Sequence, residues 1–174
     1  DIFVPIKPRV HFWDVWHHGL PMDNAIADRL LPMEFTELHI PLDCAADVMR
    51  TLRDHYHDGG ILATGPMCCE LYASQGSNFY MNGVGPGSKY LKVDFLWYKA
   101  PGVSPQVYYQ QFWELLEPFN FRLHWGKYRP ENGAAWVDYI KNQYANWDKF
   151  LEIRERFDPN QLFVTPYWAV HLGI

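Results

Sequence analysis

The chain is expected to adopt an α+β fold, a mostly antiparallel sheet with helices packed on one face. Three features predict it. In residues 89–98, Tyr90, Leu91, Val93, Phe95, Leu96 and Trp97 favour extended backbone and are too dense for a strand with a wet face, so this strand is central. Ala45, Val48, Met49 and Leu52 recur at the 3.6-residue spacing of a helix. With 174 residues, 48% hydrophobic and 20% charged, the chain has the composition of one globular domain with its own core.

The elements follow in order. Residues 1–33 read as a long irregular leading segment, broken by Pro5, Pro8, Pro21 and Pro32, with a short helical piece near 23–30. His11, Trp13, Trp16, His17 and His18 fall in it without periodicity, so the segment needs another surface to cover it. The domain proper is residues 34–174. Phe35, Leu38 and Ile40 mark a strand over 34–40, ended by Pro41. Asp43 is placed to cap a helix from 44 to about 56, closed by Gly59-Gly60. Short strands are expected at 61–64, 67–73 and 78–81. A loop with Gly83, Gly85, Pro86 and Gly87 then leads into strand 89–98. Ser104 as cap and Pro105 in the first turn open a helix that stops before Pro118. A short strand over 121–125 precedes a long helix over 136–157, with Trp136, Tyr139, Ile140, Tyr144, Trp147, Phe150, Leu151 and Ile153 on one side. Asp158-Pro159 ends it, because a residue before proline avoids the helical region, and residues 162–174 return as an apolar segment.

Several function classes are disfavoured. The net charge is −5 and there is no Lys/Arg run, so the electrostatic footprint of a nucleic-acid binder is missing. No stretch approaches the roughly 20 apolar residues of a membrane-spanning helix. Cys44, Cys68 and Cys69 form neither a zinc spacing nor a disulfide framework, which points to a reducing, cytoplasmic setting. His55 and His57 lie two apart on a helix and point in different directions, so no metal is expected. No nucleophile elbow, phosphate loop or dinucleotide glycine fingerprint occurs. The aromatic content, 17%, suits flat rings and sugar faces but also simply fills cores.

Two stretches carry candidate chemistry. In Arg122-Leu123-His124-Trp125-Gly126-Lys127, strand alternation sets His124 and Gly126 on one face and Trp125 and Lys127 on the other, with the glycine permitting a tight turn. Taken alone, these residues fit a solvated surface lysine and a half-buried histidine that accepts a backbone hydrogen bond better than they fit a site. In Cys68-Cys69-Glu70-Leu71-Tyr72, Glu70 and Tyr72 project from one strand face. A carboxylate beside a phenol can hold sugar hydroxyls, although an edge-strand glutamate and a packed tyrosine fit the same pattern.

The order of these motifs resembles the C-terminal domain of the sugar-1,4-lactone oxidases, the vanillyl-alcohol-oxidase-type flavoproteins that include arabinonolactone, gulonolactone, galactonolactone and alditol oxidases. Four stretches match over roughly residues 34–170. They are the strand-Pro-acid run 35–43, the active-site strand 66–73, the His-Trp-Gly-Lys motif ending at Lys127, and the Arg154-x-x-x-Asp158-Pro159-x-x-x-Phe163 ending. The resemblance implies the substrate-covering cap domain of a two-domain flavoprotein. It implies FAD as cofactor, held mainly by an N-terminal FAD-binding domain that is either cleaved from the same precursor or separately encoded. The absent dinucleotide fingerprint and the start at Asp1 fit a processed chain or a fragment.

By the same resemblance, Lys127 and Trp125 lie beside the flavin, and Lys127 stabilises the reduced ring or a developing oxyanion. His124 is a candidate base for the hydroxyl proton. Glu70 and Tyr72 orient substrate hydroxyls. The family carries Glu-x-Arg where this chain has Glu70-Leu71-Tyr72, so a cation is missing, and Arg122, His17 or His18 is a candidate replacement. The expected reaction is oxidation of a sugar-derived lactone or polyol alcohol by hydride transfer to flavin N5. A catalytically degenerate flavoprotein-like domain and an aromatic-lined carbohydrate-binding module are the alternatives.

Overall fold

The structure, a computed structural model, describes residues 13, 15, 32–57, 64–99, 102, 104–130 and 133–174. The helical piece expected near 23–30, residues 61–63 of the strand expected at 61–64, and His11, Trp16, His17 and His18 lie outside these residues; Thr64, the last residue of that expected strand, is not extended. Strands β1 (Met33–Pro41), β2 (Pro66–Gln75), β3 (Lys89–Tyr98) and β4 (Arg122–Leu123) form one antiparallel sheet in the order β2-β3-β1-β4. The α+β expectation and the central place of residues 89–98 both hold. Five helices accompany the sheet among the described residues: α1 (Ala45–Tyr56), α2 (Gln106–Leu116), α3 (Gly133–Asn142), α4 (Trp147–Phe157) and α5 (Pro166–Leu172).

Alternation along the strands gives the sheet two unlike faces. Leu38 and Ile40 of β1, Leu91, Val93, Phe95 and Trp97 of β3 and Leu123 of β4 share the back face, and all are buried. Against them pack Val48 and Leu52 of α1 and Tyr109, Phe112, Trp113 and Leu116 of α2. The aromatic contacts are edge-on or tilted, with ring centroids 4.9 Å apart for Phe95–Phe112 and 5.0 Å for Trp97–Tyr109. Two polar atoms in this core are paired: the Trp97 indole donates to Thr36 Oγ1 at 2.8 Å and the Tyr109 hydroxyl to Glu34 at 2.6 Å. The front face carries the cross-strand rows Cys68–Leu96–Phe35, Glu70–Asp94–Glu37 and Tyr72–Lys92–His39–Arg122.

Several local expectations are corrected. Asp43 caps no helix: it lies in a 3-10 turn, Leu42–Cys44, that precedes α1. Residues 78–81 turn rather than extend, because the Asn82 amide donates to Ser77 Oγ at 2.8 Å and to Val84 O at 2.6 Å and closes the loop on itself. The helix expected over 136–157 is two. Between them the Gln143, Tyr144 and Trp147 amides each bond three residues back, and the bend turns Tyr144 and Trp147 inward to meet Trp125. Strand 121–125 shortens to Arg122–Leu123 for the reason given below. The start of α2 is shifted by one residue from the expectation: Pro105, not Ser104, is the cap position, and the Ser104 hydroxyl before it accepts from Gln106 N at 3.3 Å. Asp158 acts as a stop, its carboxylate accepting from the Leu162 and Phe163 amides at 2.7 and 3.0 Å.

Candidate functional site

The front face is half covered. The loop from β2 to β3 folds over the His39 and Arg122 end, so closely that a Cβ at Gly83 would sit 1.9 Å from His39 Nδ1 and one at Gly85 3.1 Å from the Arg122 guanidinium. The uncovered half is a cleft of about 790 Å³. Its floor is the front of β1 and β3, with Phe35, Asp94 and Leu96. Glu70 stands on one side, and Lys127, Tyr128, Tyr167 and Trp168 on the other.

Lys127 arrives there by a local device. His124 N donates to Glu37 O at 3.1 Å and Tyr128 N to Phe35 O at 3.0 Å, so the segment pairs with β1 at both ends. Between those points it leaves the ladder in a tight turn. Lys127 N bonds back to His124 O at 3.4 Å, and the His124 Nδ1 atom accepts the Gly126 amide at 3.1 Å. The strand alternation expected for residues 124–127 therefore does not apply. Trp125 swings toward the helices, its indole donating to Met81 O at 2.8 Å, while Lys127 is thrown onto the front of the sheet.

There its ammonium lies between two buried carboxylates, 2.9 Å from Glu37 Oε2 and in short contact with Asp94 Oδ2. Glu37 also receives His39 Nε2 at 2.7 Å and Lys92 Nζ at 3.3 Å on its other oxygen. Burial pushes the Glu37 carboxyl up, but the hydrogen bonds and charges of His39 and Lys127 outweigh it and hold it well below the carboxylate range. Burial of the Lys127 ammonium works against its charge, and the bonds to Asp94 and Glu37 win and raise it. Asp94 is raised, by burial first and then by Glu37 and Glu70, with Lys127 only partly offsetting. His124 is lowered, chiefly by burial.

The expected site residues separate accordingly. Glu70, Trp125 and Lys127 line the cleft. Tyr72 stands in the next row, its ring under Lys92 Nζ at 5.1 Å. His124 is not among the lining residues. Arg122 lies at the covered end, donating to Asn82 O at 3.1 Å and resting 4.7 Å over the Tyr144 ring, so the cation that reaches Tyr72 is Lys92. Glu37, Asp94 and Lys92 were not anticipated. Their signal was present in Glu37-x-His39 and Lys92-x-Asp94, charged residues at period two inside apolar strands, which must share a face.

A family profile described as D-arabinono-1,4-lactone oxidase matches residues 21–171. The chain belongs to this family. It is similar to an L-gulono-1,4-lactone dehydrogenase of Mycobacterium tuberculosis, 24% identical over 102 residues, which is 59% of this chain and 22% of the relative. Two Arabidopsis thaliana proteins are also similar. A probable L-gulonolactone oxidase 1 is 34% identical over 98 residues, and an L-gulonolactone oxidase 5 is 29% identical over 96; each match takes in 52% of this chain and 16% of the relative. The matched region thus amounts to only 16–22% of these relatives' lengths. Among the described residues no helix is long and apolar enough to cross a membrane, and the three cysteines are free.

Proposed function

We propose that this domain is the substrate-covering part of an FAD-dependent oxidoreductase that oxidises a sugar-derived lactone or polyol at an alcohol carbon. The observation that carries the reading is the Lys127 ammonium, fixed between Glu37 and Asp94 at the edge of an aromatic-walled cleft. An ammonium has three donors. Two are committed to carboxylates, which leaves one for the cleft and fixes its direction in advance.

The cleft suits the ring end of a flavin. Phe35, Trp125, Tyr128, Tyr167 and Trp168 offer flat apolar edges, and Lys127 offers a cation. The described residues offer no cradle for the nucleotide end, so the rest of FAD falls to an N-terminal FAD-binding domain, on the same precursor or a separate chain. When bound, the flavin supplies a two-electron acceptor at N5 for the hydride of the substrate carbon. Lys127 stabilises negative charge on the ring or on the substrate oxygen. Glu70 orients substrate hydroxyls, with Tyr72 and Lys92 in the adjoining row. His124 holds the turn that presents Lys127.

The test is the complete protein, purified with its flavin and mixed anaerobically with sugar lactones and polyols. Bleaching of the flavin band is expected. Lys127→Met should slow it about 10²–10³-fold, the usual loss for one preorganised electrostatic contact. A flavin-loaded protein reduced by no lactone or polyol would overturn the reading. Bleaching that ignores the loss of Lys127 would remove the lysine from it.

A further inference from the structure

The floor of the cleft holds a polar atom that the fold leaves without a partner. Asp94 is 5% exposed, in the middle of the central strand. One oxygen meets Lys127, and the other, Oδ1, is buried with no hydrogen-bond donor. Leaving a buried oxygen unmet is costly, and a β-branched apolar residue would suit this position of a strand better. The neighbours add to the cost. Glu37 and Glu70 stand directly opposite Asp94 on the two adjoining strands, so three carboxylates form one row. Like charges opposite one another destabilise a sheet. Glu37 is met by His39, Lys92 and Lys127, whereas Asp94 has Lys127 alone.

We propose that Asp94 is the base of this site, taking the proton of the substrate hydroxyl as the carbon that bears it gives up its hydride. This rests on the flavoenzyme reading above, which supplies the hydride acceptor. The substrate O–H bond breaks and its proton goes to the Asp94 carboxylate, which becomes a carboxylic acid. The C–H pair leaves as hydride to the flavin, and the C–O bond becomes a carbonyl. Asp94 lines the cleft while its Oδ1 is closed to water, so the proposed transfer requires the carboxylate to turn about Cβ–Cγ until an oxygen meets the substrate hydroxyl.

The surrounding groups leave Asp94 as the fitting acceptor. Facing it are Glu37 from β1, Glu70 with Cys68 and Tyr72 from β2, Lys92 on its own strand, and Lys127 from the turn. Glu37 is held too acidic to accept a proton, and Lys127 is held protonated. His124 spends its Nδ1 on the Gly126 amide and does not line the cleft. Burial and the flanking carboxylates make Asp94 more basic than an ordinary aspartate, which favours proton transfer.

The experiment uses the complete flavoprotein and Asp94→Asn, which keeps the size of the side chain and a contact for Lys127. The expected result is anaerobic flavin reduction by a sugar lactone or polyol slowed about 10²–10⁴-fold, with KM nearly unchanged and the acid limb of kcat/KM gone. A readout independent of turnover is the infrared carboxyl band. In the wild type one C=O band should titrate above the ordinary aspartate range, and in Asp94→Asn it should be missing. A variant that reacts at the wild-type rate, keeps the acid limb or keeps that band overturns the base while leaving the flavoenzyme reading intact. A wild-type flavin that no lactone or polyol reduces overturns the flavoenzyme reading and the base with it. Should Asp94→Asn fail to fold, Asp94→Glu decides: partial rate with a displaced acid limb supports the base, and an unmoved limb refutes it.

Discussion

Replacing Lys127 by Met removes the one cation shared by Glu37 and Asp94, and the two carboxylates respond differently. Glu37 keeps His39 at 2.7 Å and Lys92 at 3.3 Å, so it stays ionised and bonded. Asp94 keeps nothing, since its second oxygen already has no donor. At an effective dielectric constant of about 20, two unit charges some 4 Å apart attract by about 4 kcal/mol, most of which offsets the desolvation of the pair. Breaking a fully buried pair by deleting one partner costs about 3–5 kcal/mol. The Lys127 side chain is 22% exposed, so a cost at or below the bottom of that range, about 2–3 kcal/mol at pH 7, is expected after discounting for solvent screening. The loss should depend on pH. Without Lys127 the folded-state pKa of Asp94 rises further above its unfolded value, so on acidification the folded variant takes up a proton before the unfolded chain does. Its stability deficit therefore shrinks as pH falls from 7 to 5. Urea titrations of wild type and variant at the two pH values, followed by tryptophan fluorescence of the domain, measure both numbers. Equal stability at pH 7, or a deficit that grows on acidification, would refute the pairing described here.

Three further outcomes follow from the same geometry. Gly83→Ala places a methyl 1.9 Å from His39 Nδ1, so the loop must lift off the sheet; a lower thermal midpoint and faster amide exchange at residues 82–85 are expected, and an unchanged exchange pattern would contradict the close approach. The Glu37 carboxyl is held below its unfolded value, so its contribution is present above about pH 4.3 and is lost as pH falls through the folded-state value; Glu37→Gln should flatten the acid-unfolding curve, and superposable curves would rule the contribution out. Asp158→Ala frees the Leu162 and Phe163 amides and should cost about 1–2 kcal/mol in denaturant titration without altering the flavin reduction proposed for the complete protein.

Where the sequence reading of the fold succeeded, a strong local pattern coincided with tertiary need. Residues 89–98 are dominated by the β-favouring Tyr90, Leu91, Val93, Phe95, Leu96 and Trp97 and became the strand with partners on both sides. Where it failed, packing overrode the local signal. The apolar stripe over 136–157 continues without a break in the sequence, yet the chain bends at residues 143–146 because Tyr144 and Trp147 gain more by closing on Trp125 than by prolonging a helix. Glu70 and Tyr72 were legible as a pair from period two alone. Lys127 was legible only through a motif, since strand alternation gave it the right company for the wrong reason. It reaches the cleft because the turn after β4 leaves the ladder and returns to it four residues later.

By itself the sequence determined the α+β class, the central strand, the family, and the lysine and glutamate of the site, because these rest on periodicity and on residues adjacent in the chain. The tertiary structure alone decided that Glu37, Asp94 and Lys127 form one charged group, that Lys92 and not Arg122 reaches Tyr72, and that half of the front face is closed by a glycine loop. The physical reason is register. Which residues of three strands stand side by side is set by pairing between positions far apart in the chain, Glu70 with Asp94 and Asp94 with Glu37, and no local pattern encodes that register.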